Sequence, residues 1–140
     1  PYAFDDDKYP GVPQINLYEV HQEVFYIQQV KVLPIKVQHY KKDILGYRIN
    51  NFVYVTDANF ITESEQEKMK NADVLVLNAL RREPHETHFT LSQAISLMKK
   101  LQPKQGFITH MSHQIGLHQQ LLNELPPSIR PAFDGLSITI

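Results

Sequence analysis

Residues 73–95 read DVLVLNALRREPHETHFTLSQAI. Asp73 to Ala79 is a near-continuous apolar run, the pattern of a strand buried on both faces. Arg81 to Glu86 is a charged loop containing Pro84. From Thr90 to Leu101 the apolar residues Leu91, Ala94, Ile95, Met98 and Leu101 fall on one face of a helix, which Pro103 stops. A doubly buried strand, a polar loop and an amphipathic helix in thirty residues predict a sheet covered by helices on at least one face.

Downstream the alternation continues. Gly106–Thr109 reads as a short strand and Ile115–Leu125 as an amphipathic helix ended by Pro126-Pro127. Pro131–Ile140 reads as a strand, an Asp134-Gly135 turn and a last strand. Upstream, Thr62 with Glu65 three residues on is a capping-box pattern that opens a short helix to about Lys70. Before it the period is that of strands. Ile15–Val20 and Val24–Ile27 suit a hairpin around His21-Gln22. Val30–Tyr40 alternates, with Pro34 implying an edge position or a bulge. Lys41–Gly46 reads as a polar turn, and Tyr47–Thr56 as a strand pair or one long strand. Residues 1–14 hold three prolines, a glycine and Asp5 to Asp7, and are expected to be an irregular entry segment with a solvated aspartate turn. The fold class is α/β, or α+β, with a mostly antiparallel front half.

The 140 residues match one domain of ordinary size. With no cysteine, a disulfide framework and any Cys-ligated zinc or iron–sulfur site are excluded. Fourteen basic against fifteen acidic residues give a formal charge of −1. That balance argues against a general nucleic-acid binder, whose affinity comes largely from phosphate attraction. No apolar run approaches the roughly 20 residues needed to span a bilayer, no signal peptide is apparent, and neither amphipathic helix has the basic face of a membrane-surface binder. A soluble, cytoplasmic protein is expected.

Three expected strands end in groups that ligate metals: Val30–Tyr40 at His39, Tyr47–Thr56 at Asp57, and Gly106–Thr109 at His110. Two imidazoles and a carboxylate suit Zn²⁺, Mn²⁺ or Fe²⁺. Taken singly, a strand-end histidine is also an ordinary hydrogen-bonded residue, and an aspartate there a turn former. Spacing alone does not bring the three together.

Five ordered blocks, PIKVQHY (34–40), YVTDAN (54–59), the 73–95 stretch, FITHMSHQIGLH (107–118) and AFDGL (132–136), resemble the metallo-β-lactamase superfamily. The nearest branch is that of metal-dependent hydrolases related to a cyclic-phosphate phosphodiesterase, with tRNA 3′-processing ribonucleases more distant. The resemblance implies an αββα sandwich with two divalent metals, Zn or Mn, along one edge. It places His39 on one metal, Asp57 between the two, and His110 on the other. Asp57 is thereby also part of the catalytic set, and His88 falls where relatives carry a histidine that protonates the leaving group. A histidine titrating near neutrality suits that work. Arg81, His85 and His113 are expected to contact substrate, with Arg82 an alternative to Arg81 as a phosphate clamp. His118 is expected on a helix, and Asp134 first as a turn former.

The family's H-x-H-x-D-H motif, which supplies four further ligands, has no counterpart in this sequence. Residues 1–140 are therefore expected to be a single partial domain, the C-terminal half of the sandwich. Alone it would bind at most one metal, weakly, because two cations about 3.5–4 Å apart need several ligands each. The expected activity is that of a phosphodiesterase on a small phosphate ester, through a metal-activated water and with the missing half present. The alternatives are a non-catalytic half-domain that self-associates or exchanges elements between copies, burying its uncovered apolar face, and a ribonuclease-like RNA-processing hydrolase, which the neutral charge disfavours.

Overall fold

The computed structural model describes residues 15–139, so the expected entry segment 1–14 and the final residue lie outside the described residues. Seven strands form one sheet in sequential order: β1 (Phe25–Ile27), β2 (Val30–His39), β3 (Lys42–Ile49), β4 (Phe52–Val55), β5 (Val74–Asn78), β6 (Gln105–Thr109) and β7 (Ile129–Pro131). The first four pair antiparallel and the last four parallel. Antiparallel neighbours need only tight turns, whereas parallel ones need crossovers. The crossovers carry α1 (Glu63–Glu67), α2 (Leu91–Leu101) and α3 (His118–Glu124).

The main core lies between the sheet and these helices. Ile35, Val37, Val53, Val55, Leu75, Leu77 and Ile108 from the sheet meet Met98, Leu101 and Leu121 from the helices. On the reverse face Val74, Val76 and Phe107 form a smaller cluster with Phe52, Leu136 and Ile138. Strand β5 is thus buried on both faces along its whole length, as its apolar run predicts. Helix α2 starts where Thr90 predicts: its hydroxyl accepts from Gln93 N–H while the Gln93 side chain accepts from Thr90 N–H. Only half of the expected box forms at α1. Thr62 accepts from Glu65 N–H at 3.3 Å, but the Glu65 carboxylate accepts from Lys36 N–H at 2.8 Å and pairs with Lys68. It ties α1 to the sheet instead of closing its own cap, and the helix ends at Glu67 rather than near Lys70.

The front half departs from the expected boundaries in instructive ways. The turn assigned to Lys41–Gly46 is the two residues Tyr40-Lys41, because His39 already pairs with Lys42. Tyr40 holds φ at 58°, a left-handed conformation for which neither Gly nor Asn announces the turn. Gly46 lies inside β3 because a Cβ there would meet the Val55 side chain at 2.6 Å and the Tyr54 carbonyl at 3.0 Å. Residues 47–56 are indeed a strand pair, reversing at Asn50-Asn51. Pro34 is at an effective edge, since β1 pairs only as far as Val32. Ile15–Val20 forms no strand, and Leu17 and Tyr18 are exposed. Residues 113–115 form a separate 3-10 turn, so α3 begins at His118 rather than Ile115. The Asp134-Gly135 turn is present, but residues 136–139 after it form no strand.

Strand β2 runs parallel to β4, β5 and β6, being two antiparallel steps from β4. The C-terminal ends of all four therefore line one edge of the sheet, where open α/β sheets place their ligands.

Candidate metal centre

Residues 39, 57 and 110 each follow or end one of those strands, and they do meet. Asp57 Oδ1 lies 3.2 Å from His88 Nε2 and 3.3 Å from His110 Nε2. The His88 and His110 rings stack, with centroids 4.7 Å apart and planes within 13°. His39 packs edge-on against His88 at 5.0 Å. One nitrogen each of His39 and His88 and one oxygen of Asp57 all lie within 4.8 Å of one another.

The backbone is bent to achieve this. Asp57 and His110 both take left-handed conformations, at φ 58° and 55°. Such residues cost on the order of 1–3 kcal/mol and persist where surrounding contacts enforce them. The enforcing contact at Asp57 is Asn78, the fully buried polar residue ending β5. Its carboxamide donates to Ala58 O and accepts from Ala58 N–H, both at 2.9 Å, gripping the residue after Asp57 at two points. Asn59 extends the grip through its side chain: Oδ1 accepts from Tyr40 N–H at 3.0 Å, and Nδ2 donates to Glu86 O at 2.7 Å. The turn behind His39 and the loop carrying His88 are thus joined through the Asp57 loop. Replacing Asn78 with Leu leaves the buried Ala58 N–H without a partner. The expected loss is about 1–3 kcal/mol, read as a lower denaturant midpoint with an unchanged m-value.

Burial alone would raise the Asp57 carboxyl. The hydrogen bond from His88 and the positive charge of His110 outweigh it and hold the group below its ordinary 3.8, so Asp57 is a carboxylate at neutral pH. At His88 burial dominates and pushes the imidazole below its ordinary 6.5; the Asp57 hydrogen bond opposes this, and His110 and His39 add to it. The unfolded chain therefore takes up the proton first as the pH falls. Stability is full above about pH 6.5 and declines on acidification below it. Urea titrations of the metal-free protein at pH 7.5 and 5.5 are expected to show a lower midpoint at 5.5, and His88→Gln is expected to shrink that difference.

The donor set fits a divalent cation. His39 Nδ1–H donates a hydrogen bond to the Asp57 carbonyl at 2.8 Å, which leaves the His39 Nε2 lone pair free to ligate. An ionised carboxylate lies alongside, a combination borderline metals favour.

The remaining expected site residues are distributed differently. His85 adjoins His88, with ring centroids 5.3 Å apart. Arg81 braces its own loop, donating to Pro84 O at 2.9 Å and Glu83 O at 3.4 Å, and ties it to the 3-10 turn by donating to Gln114 Oε1 at 3.3 Å. Arg82 ties that loop to α3, donating to Ile115 O at 2.9 Å and pairing with Glu124 at 2.7 Å. His113 is exposed on the 3-10 turn, and His118 packs edge-on against Phe133. Two polar residues with evident structural parts in the centre, Asn78 and Thr87, are absent from the sequence expectations. A lone asparagine in an apolar run was the available signal for the first; Thr87 has none outside the folded loop.

An α/β sheet that gathers three imidazoles around one carboxylate at its strand ends defines a protein of the metallo-β-lactamase fold. The family described as beta-lactamase superfamily domain matches residues 1–111, and the chain belongs to it. That match takes in His39, Asp57, His88 and His110 and stops before His113. A crystal structure of a diphosphatase from the PhnP family is 35% identical and superposes with a TM-score of 0.88, covering 91% of this chain and 50% of that one. The metallo-β-lactamase fold protein YhfI from Bacillus subtilis, 18% identical, has a TM-score of 0.71, covering 86% of this chain and 54% of that one. An octanoyltransferase of Porphyromonas gingivalis is 36% identical over 99% of this chain but only 29% of its own length. The chain thus spans about half of the similar diphosphatase and less than a third of the transferase.

Proposed function

We propose that this chain is the C-terminal half of a metal-dependent phosphoester hydrolase acting on a small phosphate ester or diphosphate. The observation that carries the reading is the convergence of His39, His88 and His110 on Asp57, with the ligating nitrogen of His39 already freed by its other hydrogen bond. The similarity to a PhnP-family diphosphatase supports the choice of a phosphate substrate. The transferase name carries little weight, since most of that protein has no counterpart here.

His39 Nε2, the Asp57 carboxylate and His110 would hold divalent metal, with the other donors coming from outside residues 1–140. When bound, such cations supply Lewis-acid polarisation of a phosphoryl oxygen and a water acidic enough to ionise near neutral pH. His88, buried with Nε2 toward this edge, gives a proton to the departing oxygen, and a bound phosphate's negative charge favours its protonated form. His85 is the proposed substrate contact nearest to it. Arg81 reaches a phosphate only by giving up part of its loop bracing.

The test is hydrolysis of bis-p-nitrophenyl phosphate and of a dinucleoside diphosphate by the whole protein. Turnover is expected with Zn²⁺ or Mn²⁺ and is expected to vanish with chelator. A protein that binds either metal tightly yet turns over neither substrate contradicts the proposal, and cleavage confined to precursor tRNA favours a ribonuclease.

A further inference from the structure

The backbone from His85 to His88 is slung between two fixed points. Before it, Arg81 donates to Glu83 O and Pro84 O. After it, Phe89 N–H donates at 2.8 Å to Ala58 O, on the residue that Asn78 grips. Among the described residues, the backbone in between makes a single hydrogen bond to another segment: Glu86 O accepts from Asn59 Nδ2 at 2.7 Å. Asn59 is itself held. Its N–H donates to Gln38 O at 2.8 Å and Gln38 N–H donates to Phe60 O at 2.9 Å, which docks the residue on the end of β2 beside His39. Its Oδ1 accepts from Tyr40 N–H, one residue beyond His39. Only one orientation of the amide fits, because Tyr40 N–H can only donate and Glu86 O can only accept. Reversed, it would set N–H against N–H and oxygen against oxygen.

We propose that Asn59 is a positioning residue that fixes the distance of the His85–His88 loop from the strand ends, and with it the place of His88 at the site. The side chain is a strut of set polarity, standing on the end of β2 and bearing on the middle of the loop. Both its polar atoms are engaged by backbone, so it acts through the loop. Misplacing a reacting group by about 1 Å costs on the order of 100-fold in rate. A loop that keeps the anchors at both its ends is expected to lose less, about tenfold. This inference rests on the reading of His88 as the proton donor of a hydrolase, but its first test does not depend on activity.

The experiment compares the whole protein with Asn59→Ala and Asn59→Asp. The aspartate keeps an acceptor for Tyr40 N–H but sets a carboxylate oxygen against Glu86 O, so it breaks only the tie to the loop. In the metal-free protein, hydrogen exchange at the Thr87 and Phe89 amides is expected to be severalfold faster in both variants, with the β5 amides unchanged. With Zn²⁺, both are expected to keep the metal content of the unaltered protein. Their kcat is expected to fall about tenfold on a deoxydinucleoside monophosphate, whose alcohol departs poorly, and less than about threefold on bis-p-nitrophenyl phosphate. Each substrate is a singly charged diester, so the added charge of Asn59→Asp acts on both alike and the ratio reads the loop. Placed beside His88→Ala, Asn59→Ala is expected to cost less than about twofold more, because the two act as a unit. Unchanged exchange, loss of metal, equal losses on the two substrates, a ratio that shifts in Asn59→Ala but not in Asn59→Asp, or a full further loss beside His88→Ala overturns the assignment. The donor reading itself fails if His88→Ala keeps its rate on the dinucleotide, or if the unaltered protein cleaves only the nitrophenyl ester, so the two failures are told apart.

Discussion

Asp57→Ala is expected to leave the whole protein with less than half of its metal and to lower kcat/KM by well over 100-fold. Loss of a residue that merely supports a ligand costs about 10- to 100-fold in metal affinity or activity, and Asp57 is placed to do more than support. Its carboxylate oxygen is the point toward which His88 and His110 both turn, and its ionised state is maintained against burial. Without it two imidazoles face each other with no anion between them. Alanine also fits poorly at φ 58°. The decisive companion is therefore Asp57→Asn, which tolerates that conformation and keeps the shape while removing the charge. It should fold with an unfolding free energy within about 1 kcal/mol of the unaltered protein's and yet lose metal and activity like the alanine variant. Metal content by mass spectrometry and steady-state kinetics check both, and full activity in Asp57→Asn contradicts the ligand part proposed for this residue.

His88→Ala is expected to behave oppositely toward metal. The metal content should stay that of the unaltered protein, while kcat for a substrate with a poorly departing alcohol falls about 10²- to 10⁴-fold, the range of a lost general acid. A p-nitrophenyl ester needs no proton on its leaving group, so its hydrolysis should fall much less. The difference between the two substrates reads the proton, and the metal content reads the ligand sphere. A variant that loses metal together with activity on both substrates makes His88 a ligand and contradicts its assignment as donor.

How far the sequence reveals this arrangement depends on whether the signal is local. Strand β5 and helix α2 are legible because an apolar run and a capping residue are written in consecutive positions, and both form as read. His39, Asp57 and His110 are legible as strand-end residues, though their meeting follows from β2, β4 and β6 pointing the same way across a sequential sheet. The Tyr40-Lys41 turn is hidden because its left-handed residue is a tyrosine. The glycine that seemed to mark a turn, Gly46, answers instead to a Val55 side chain on the next strand. Ile15–Val20 has the composition of a strand but no neighbour to pair with among the described residues. Asn78 grips a residue 20 positions away, and Thr87 acts through the fold of its own loop, so neither is marked by spacing. At Gly46 and Asn78 it is a tertiary contact, absent from the local pattern, that decides the residue's part.

The most direct test of the metal centre is an anomalous difference map at the zinc edge from crystals of the whole protein grown with Zn²⁺. An anomalous peak within bonding distance of His39 Nε2 and the Asp57 carboxylate, with His88 Nε2 outside it, is the predicted result. Zinc bound elsewhere, with those two residues ligand-free at full zinc occupancy, would contradict the account.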